Sequence, residues 1–217
     1  MQEMLLNTLG IGGRGFVIDC GRRFEKPCAI LGGTHIDFSP EAPISLNPFS
    51  EISEAAEDFE SRNDVLAGIA SVLATMAAPN HGVSDLQNAL LQKALRDVRD
   101  ELGSKAEITD VADNLKNRDS KEARDLGTML FPFTRSGVFG GFFSGPAQLS
   151  LKSDLVVIET DNLRNMPELL AVVVQMVIVH INQIMMRSDR KRPFVIVDEA
   201  AKLLEGKKLI ERSLNAE

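Results

Sequence analysis

The sequence predicts an α/β domain in which a mostly parallel sheet carries an inserted helical subdomain. Short apolar, β-branched runs end in acids at 16–19 (FVID), 155–159 (LVVIE) and 194–199 (FVIVDE). Periodic apolar segments lie between these runs, and the middle of the chain has a helical pattern alone. Buried strands that alternate with helices are typical of parallel sheets covered on both faces, with right-handed crossovers. We therefore expect an α/β core from 1–50 and 132–217, with an all-helical insertion at 51–131.

Composition places the chain among ordinary globular proteins. Its 217 residues include 44% hydrophobic and 25% charged side chains, enough for a sizeable core. The 31 acidic residues outnumber the 24 basic ones, for a net charge of −7. A negative balance disfavours tight, autonomous binding to nucleic acid, although a local basic rim is compatible with it. No run of eighteen apolar residues occurs, so we expect no direct membrane insertion.

The first fifty residues predict a helix followed by two strands. Met1, Met4, Leu5 and Leu9 share one helical face. The glycines of 10–15 (GIGGRG) satisfy G-x-G-x-x-G, but here a helix precedes them and a strand follows, which reverses the order of a dinucleotide site. We interpret them as a helix stop. Strands follow at 16–19 and 34–38, and a proline-punctuated loop runs to residue 49.

The middle of the chain predicts four helices from their apolar periodicity. A capping box at Ser84 and Gln87 opens the second of them. The expected buried faces are, in order, Val65, Leu66, Ile69, Val72, Leu73 and Met76; Leu86, Leu90, Ala94 and Val98; Ile108, Val111, Ala112 and Leu115; and Ala123, Leu126, Met129 and Leu130.

The last third predicts a connector, a strand, a helix and a final strand. Residues 131–146, rich in Gly and Phe, fit a lid, a partner-binding loop or an ordered connector, and we favour the connector. The strand at 154–159 precedes a helix that carries Pro167 at an early position and an apolar run through Ile184. The final strand at 194–197 leads into Asp198 and Glu199.

Asp198 and Glu199 are the chemical candidates of this sequence. Adjacent acids after a buried strand serve nucleotide hydrolysis, where the first holds Mg²⁺ and the second orients and deprotonates the attacking water. The alternative is structural, because acids after a strand also cap the next helix. The carboxyl edge of an open sheet is where ligands bind, which favours the chemical interpretation.

A second candidate group follows the strand at 16–19. The carboxyl end of this strand is followed by a short polar segment that contains Asp19, Arg22 and Arg23. These side chains can face the same crevice as Asp198. A solvated turn with paired charges explains the same residues.

Cysteine and histidine give no metal pattern. Cys20 and Cys28 lie eight apart without a further Cys or His at zinc spacing, which indicates two free thiols. His35, His81 and His180 are far apart in the sequence and are expected to be core or surface residues.

Several blocks of the sequence occur together in one known family. The chain resembles the TraC-type conjugative type IV secretion ATPases, relatives of the HerA and FtsK motor ATPases. The blocks that carry the resemblance are 1–7 (MQEMLLN), 16–19 (FVID), 21–22 (GR), 24–26 (FEK), 45–49 (SLNPF), 137–140 (GVFG), 143–146 (FSGP) and 195–200 (VIVDEA).

The resemblance implies a fold and a function. The fold is a partial RecA-like P-loop NTPase core, and the parent protein is an ATPase that drives pilus assembly or substrate transfer at the cytoplasmic face of the inner membrane. ATP and Mg²⁺ are the implied cofactors. Asp198 would hold Mg²⁺ directly or through water, Glu199 would be catalytic, and Asp19 and Arg22 would contact the nucleotide. Implied partners are other secretion-channel subunits and further copies in a homo-hexamer.

The chain departs from the family pattern at three places. No G-x-x-x-x-G-K-[ST] occurs, and in the family that loop precedes the helix matching residues 1–9. Ala201 stands where Trp is usual. The later strand, its Gln-bearing sensor and the arginine finger are not found before residue 217. We therefore expect a fragment that binds ATP weakly or not at all and does not hydrolyse it.

Two other functions remain open from the sequence. A DNA-translocating motor of the same superfamily would show salt-dependent DNA affinity. A non-catalytic scaffold or interaction module would use Asp198 and Glu199 only as helix caps, and a phosphate loop encoded just upstream of Met1 would argue against it.

Overall fold

The computed structural model describes residues 2–53, 59–187 and 194–198. Four strands and seven α-helices lie within these ranges, joined by short 3₁₀ turns. The strands are β1 (Gly15–Asp19), β2 (Thr34–Asp37), β3 (Leu155–Glu159) and β4 (Phe194–Val197). The helices are α1 (Gln2–Gly10), α2 (Glu25–Ile30), α3 (Phe59–Ala77), α4 (Asp85–Leu102), α5 (Ile108–Lys116), α6 (Lys121–Met129) and α7 (Pro167–Arg187).

The four strands form one parallel sheet in the order β2-β3-β1-β4. Every residue of β1 and β3 is buried, as expected for central strands covered on both faces. The parallel sheet confirms the predicted fold class. All four strands lie where the sequence places them, with ends that differ by one residue at most from the expected bounds.

The chain forms two compact units. The first comprises Met1–Pro43, Ser150–Leu170 and Val177–Glu217, and the second Ile44–Leu149 and Ala171–Met176. The expected domain division, with 1–50 and 132–217 forming a core and 51–131 an insertion, stays a prediction because compactness does not show which segments fold independently.

The first unit has its core beside the sheet. One cluster joins α1, α2 and three strands through Leu5, Phe24, Cys28, Val17, Leu155, Val157 and Ile196. The prediction for α1 was wrong at one position: Met4 is 56% exposed, whereas Leu5 is buried and Leu9 packs against the cluster. Leu5 and Leu9 are four residues apart and share a face, and Met4 lies about 100° away from Leu5 around the helix.

The second unit holds α3 to α6. Ser84 and Gln87 form the predicted capping box, in which each side chain accepts from the other residue's backbone N–H. The apolar face of α5 is buried as predicted. The predicted α4 face was wrong at its start, because Leu86 is 58% exposed and the buried residues are Leu91, Ala94, Leu95 and Val98. Met129 of α6 is also exposed.

The α4 error has a geometric cause. A stride of four residues advances the side chain by about 400°, so each step drifts about 40° from the first position. A buried face takes positions i, i+3, i+4 and i+7, as Leu91, Ala94, Leu95 and Val98 do.

The connector at 131–146 is ordered by aromatic packing. Phe133 lies 5.3 Å from Phe139 and 5.6 Å from Phe143 between ring centroids. Gly137 and Gly140 have no room for a side chain, because a Cβ would come within 2.2 Å and 2.4 Å of backbone oxygens.

Helix α7 begins at Pro167, as the sequence predicts, since Pro tolerates the first helical position. Among the described residues, no helix has both the length and the apolar character needed to cross a membrane.

Candidate functional site at the carboxyl edge of the sheet

Three buried acids stand where β1, β3 and β4 end. Asp19 closes β1 and Glu159 closes β3, and the two are paired in the parallel register. Asp198 follows β4 directly, and its backbone N–H donates to the Ile18 carbonyl over 2.9 Å. Asp19 and Glu159 are fully buried and Asp198 is 5% exposed. The parallel sheet thus brings two predicted site residues, Asp19 and Asp198, to the same edge.

The Asp19 carboxylate is only partly satisfied. Its Oδ2 accepts the Phe24 backbone N–H over 2.9 Å, which ties the start of α2 to the end of β1. Its Oδ1 is buried and has no hydrogen-bond partner within the described part of the chain. Buried carboxylate oxygens are costly without a partner, so this atom is suited to a ligand, a metal ion or an ordered water.

Glu159 holds the turn that follows β1. Its Oε1 accepts the backbone N–H groups of Asp161 over 2.7 Å and Gly21 over 3.3 Å, and its Oε2 accepts that of Arg22 over 2.7 Å. Gly21 and Arg22 have φ angles of 132° and 59°, a region that L side chains rarely adopt. The carboxylate therefore stabilises a backbone conformation that is unfavourable for Arg22.

The sequence marks Glu159 as the acid at the end of a strand but predicts no role for it. The available signal was an acid at the end of a fully apolar strand. Its partners Gly21 and Arg22 are 138 and 137 residues earlier in the chain, and only the β1–β3 register reveals them.

The two arginines of this turn go to different partners. Arg22 Nη2 lies 3.0 Å from Asp37 Oδ2 at the end of β2, and Arg22 also pairs with Glu25 at 3.9 Å. Arg23 Nη1 lies 3.3 Å from Asp198 Oδ2. The sequence named Arg22 as the nucleotide contact, whereas the structure places Arg23 beside the acid after β4.

Glu199, the predicted catalytic residue, lies outside the described residues. Its role as the group that activates water stays a prediction.

The described acids could supply one or two ligands to a magnesium ion, but they do not form a complete set of protein ligands. Within the described ranges, no group of three or more His, Cys, Asp or Glu side chains could hold a metal. Mg²⁺ is commonly held by one or two carboxylates, with phosphate oxygens and waters completing six ligands. Asp198 and the unpartnered Oδ1 of Asp19 offer oxygens of the right kind at this edge.

The cysteines are free and buried. Burial raises the pKa of the Cys28 thiol, and a weaker backbone hydrogen bond at Val157 opposes the shift. Because the thiolate is the reactive form, Cys28 is an inert core residue.

A parallel sheet with buried acids gathered at its carboxyl ends is typical of α/β domains that bind ligands at this edge. The family model described as TraG P-loop domain matches residues 1–212, and the chain belongs to that family.

Two comparisons place the chain beside known proteins. It is 28% identical over 221 residues to Protein TraC of Escherichia coli (strain K12). This alignment covers 95% of this chain and 24% of TraC. The chain therefore spans about a quarter of that relative's length. Its fold is similar to the structure of VirB4 of Thermoanaerobacter pseudethanolicus, with a TM-score of 0.72 and 20% identity over 94% of this chain and 81% of that one.

Proposed function

We propose that this chain is part of the ATPase domain of a conjugation or type IV secretion motor. The observation that carries the proposal is the placement of Asp198: a buried carboxylate directly after β4, at the edge where Asp19 and Glu159 also end their strands. Membership of the TraG P-loop domain family and the similarity to TraC support the same function. In the whole protein, ATP turnover would drive pilus assembly and substrate transfer.

The residues at the edge have separate proposed roles. Asp198 would hold Mg²⁺, with the unpartnered Oδ1 of Asp19 as a second oxygen near the end of the neighbouring strand. When bound, the ion would neutralise charge on the phosphates. Glu199 would orient and deprotonate the attacking water. Arg22 would contribute positive charge toward the nucleotide.

The phosphate cradle is the component that these 217 residues do not supply. The sequence has no G-x-x-x-x-G-K-[ST], whose backbone N–H groups and Lys would hold the β and γ phosphates. We therefore expect turnover only where such a loop completes the domain.

The wider assembly is also proposed from the family. Subunits would form a homo-hexamer, contact other secretion-channel proteins and lie at the cytoplasmic face of the inner membrane. The net charge of −7 gives no support to nucleic acid as a primary partner.

Calorimetry with Mg²⁺ and a slowly hydrolysed ATP analogue tests the proposal. It should be run on this chain and on a longer chain that contains a phosphate loop. We expect the longer chain to bind the analogue and Asp198→Asn to weaken that binding at least about tenfold, since one carboxylate ligand of the metal is lost. Absence of binding by both chains would contradict the function and favour a scaffold.

A further inference from the structure

Arg23 forms an ion pair with the Asp198 carboxylate, the group that the proposed function assigns to Mg²⁺. Its Nη1 lies 3.3 Å from Asp198 Oδ2. The Asp198 side chain is 7% exposed, whereas that of Arg23 is 58% exposed. A guanidinium and a divalent cation are both positive, so they compete for the same oxygens. The ion pair therefore places a protein cation on a ligand of the proposed metal site.

The backbone around Arg23 is fixed from both sides. Glu159 accepts the N–H groups of Gly21 and Arg22, and Asp19 accepts that of Phe24. Both acids are fully buried. With the backbone held, the Arg23 guanidinium can change partners through rotation of its half-exposed side chain alone.

We propose that Arg23 is an exchange residue: it neutralises Asp198 before the metal arrives, and it transfers to phosphate oxygens when Mg²⁺ takes Asp198. The inference rests on the proposed function and adds a ligand contact that the sequence did not assign. A guanidinium suits this role because its fork of donors matches phosphate oxygens and it stays charged at every relevant pH. The Asp198 carboxylate keeps a cation beside it throughout the exchange, and the phosphates gain the charge of the released guanidinium.

The exchange predicts opposite effects of Arg23 on metal and on phosphate. Loss of the Arg23 guanidinium removes a cation that competes for Asp198, so Mg²⁺ binding should tighten. The same loss removes hydrogen-bond donors to phosphate oxygens, so pyrophosphate binding should weaken. A residue that only supported the fold would weaken both or change neither. Opposite signs are therefore the diagnostic result.

NMR titrations of the 217-residue chain provide the test, because they measure weak binding. The probes are MgCl₂ alone and inorganic pyrophosphate with Mg²⁺. Binding is monitored through the backbone amide signals of residues 19–23 and 198. For Arg23→Gln we expect about two- to fivefold tighter Mg²⁺ binding, the factor that corresponds to loss of a partly exposed ion pair. We also expect weaker pyrophosphate binding. Arg23→Lys, which keeps the charge, should return Mg²⁺ affinity toward that of the wild type.

Two further variants separate the possible failures. Arg135→Gln removes an exposed arginine that pairs with the largely buried Glu107 in the second unit, and it should change neither affinity. If Asp198→Asn leaves Mg²⁺ binding unchanged, or if neither the wild type nor Arg23→Gln responds to Mg²⁺, the metal role in the proposed function fails together with the exchange. If Asp198→Asn weakens Mg²⁺ binding while Arg23→Gln does not tighten it, the exchange alone is wrong.

Discussion

The Glu159 carboxylate, at the end of β3, accepts the backbone N–H of Arg22, just beyond the end of β1, over 2.7 Å. The contact joins two strand ends whose residues are 137 positions apart in the sequence. It fixes the turn from which both arginines extend toward the other strand ends. The candidate site is thus organised by an acid that has no proposed contact with the ligand.

Glu159→Gln should destabilise the chain by about 2 kcal/mol. The amide keeps one acceptor oxygen but turns an NH₂ group toward backbone donors, and hydrogen bonds to a charged group are worth about 1.5–3 kcal/mol. Urea unfolding measures the effect. Glu101→Gln, at an exposed position of α4, is the control and should stay within about 0.5 kcal/mol of the wild type. Equal stability of the two variants would show that the turn does not depend on the carboxylate.

Asn47→Ala should cost about 3 kcal/mol in the second unit. The buried Asn47 amide donates to the carbonyls of Ala106 and Gly145, each over 2.9 Å, and its oxygen accepts the Phe49 N–H over 3.1 Å. Truncation leaves these buried groups without partners, at about 1–3 kcal/mol for each group that water cannot reach.

The matched control is Asn88→Ala, on the exposed side of α4. The same urea titration should show little change there. A loss for Asn47→Ala no larger than for this control would mean that the amide network contributes nothing to stability.

Gly127→Ala should destabilise α6 although Ala is the better helix former. A Cβ at this position would lie 2.6 Å from the Ala112 carbonyl oxygen and 2.8 Å from Lys116 Cγ, both on α5. The helix-propensity gain of about 1 kcal/mol is outweighed by overpacking against backbone, which costs about 1–3 kcal/mol and more where the backbone cannot recede. Thermal unfolding should show a lower Tm.

Gly10→Ala serves as its control, because nothing lies within 4 Å of a Cβ at Gly10. We expect its Tm to equal or exceed that of the wild type. A Tm for Gly127→Ala at or above the wild type would contradict the close α5–α6 contact.

Cys28 should resist alkylation in the folded chain. Burial raises its pKa, so the thiol stays protonated at pH values where an exposed cysteine ionises. Its contribution to stability is present below the unfolded pKa and is lost as pH rises toward the folded pKa. Iodoacetamide labelling at pH 8, mapped by mass spectrometry, should be slow in buffer and fast in urea. Equal rates in both would contradict the buried position.

The sequence predicted the strands well because buried parallel strands leave a local signal. The runs 16–19 and 155–159 are apolar throughout and end in an acid, and both form central strands. Local periodicity was weaker evidence for helix faces, as Leu86 shows. Leucines occur around much of α4, and a stride of four selects a different set from the buried one, which contains Leu91 and Leu95.

The site was predictable only as a set of acids at strand ends. The sequence placed Asp19 and Asp198 at one edge because parallel strands end together. It did not assign Arg23 rather than Arg22 to Asp198, since that choice depends on the left-handed backbone at Arg22 and on the hydrogen bonds of Glu159. Both depend on contacts between residues far apart in sequence.

Paramagnetic broadening by Mn²⁺ tests the central claim, that the carboxyl edge of this sheet binds a divalent cation. Mn²⁺ prefers the same oxygen ligands as Mg²⁺ and broadens the NMR signals of nearby nuclei. We expect the amides of residues 19–23 and 198 to broaden first, with excess Mg²⁺ restoring them and Asp198→Asn abolishing the effect. Broadening that begins elsewhere in the chain, or that persists in Asp198→Asn, would contradict the metal site and the function built on it.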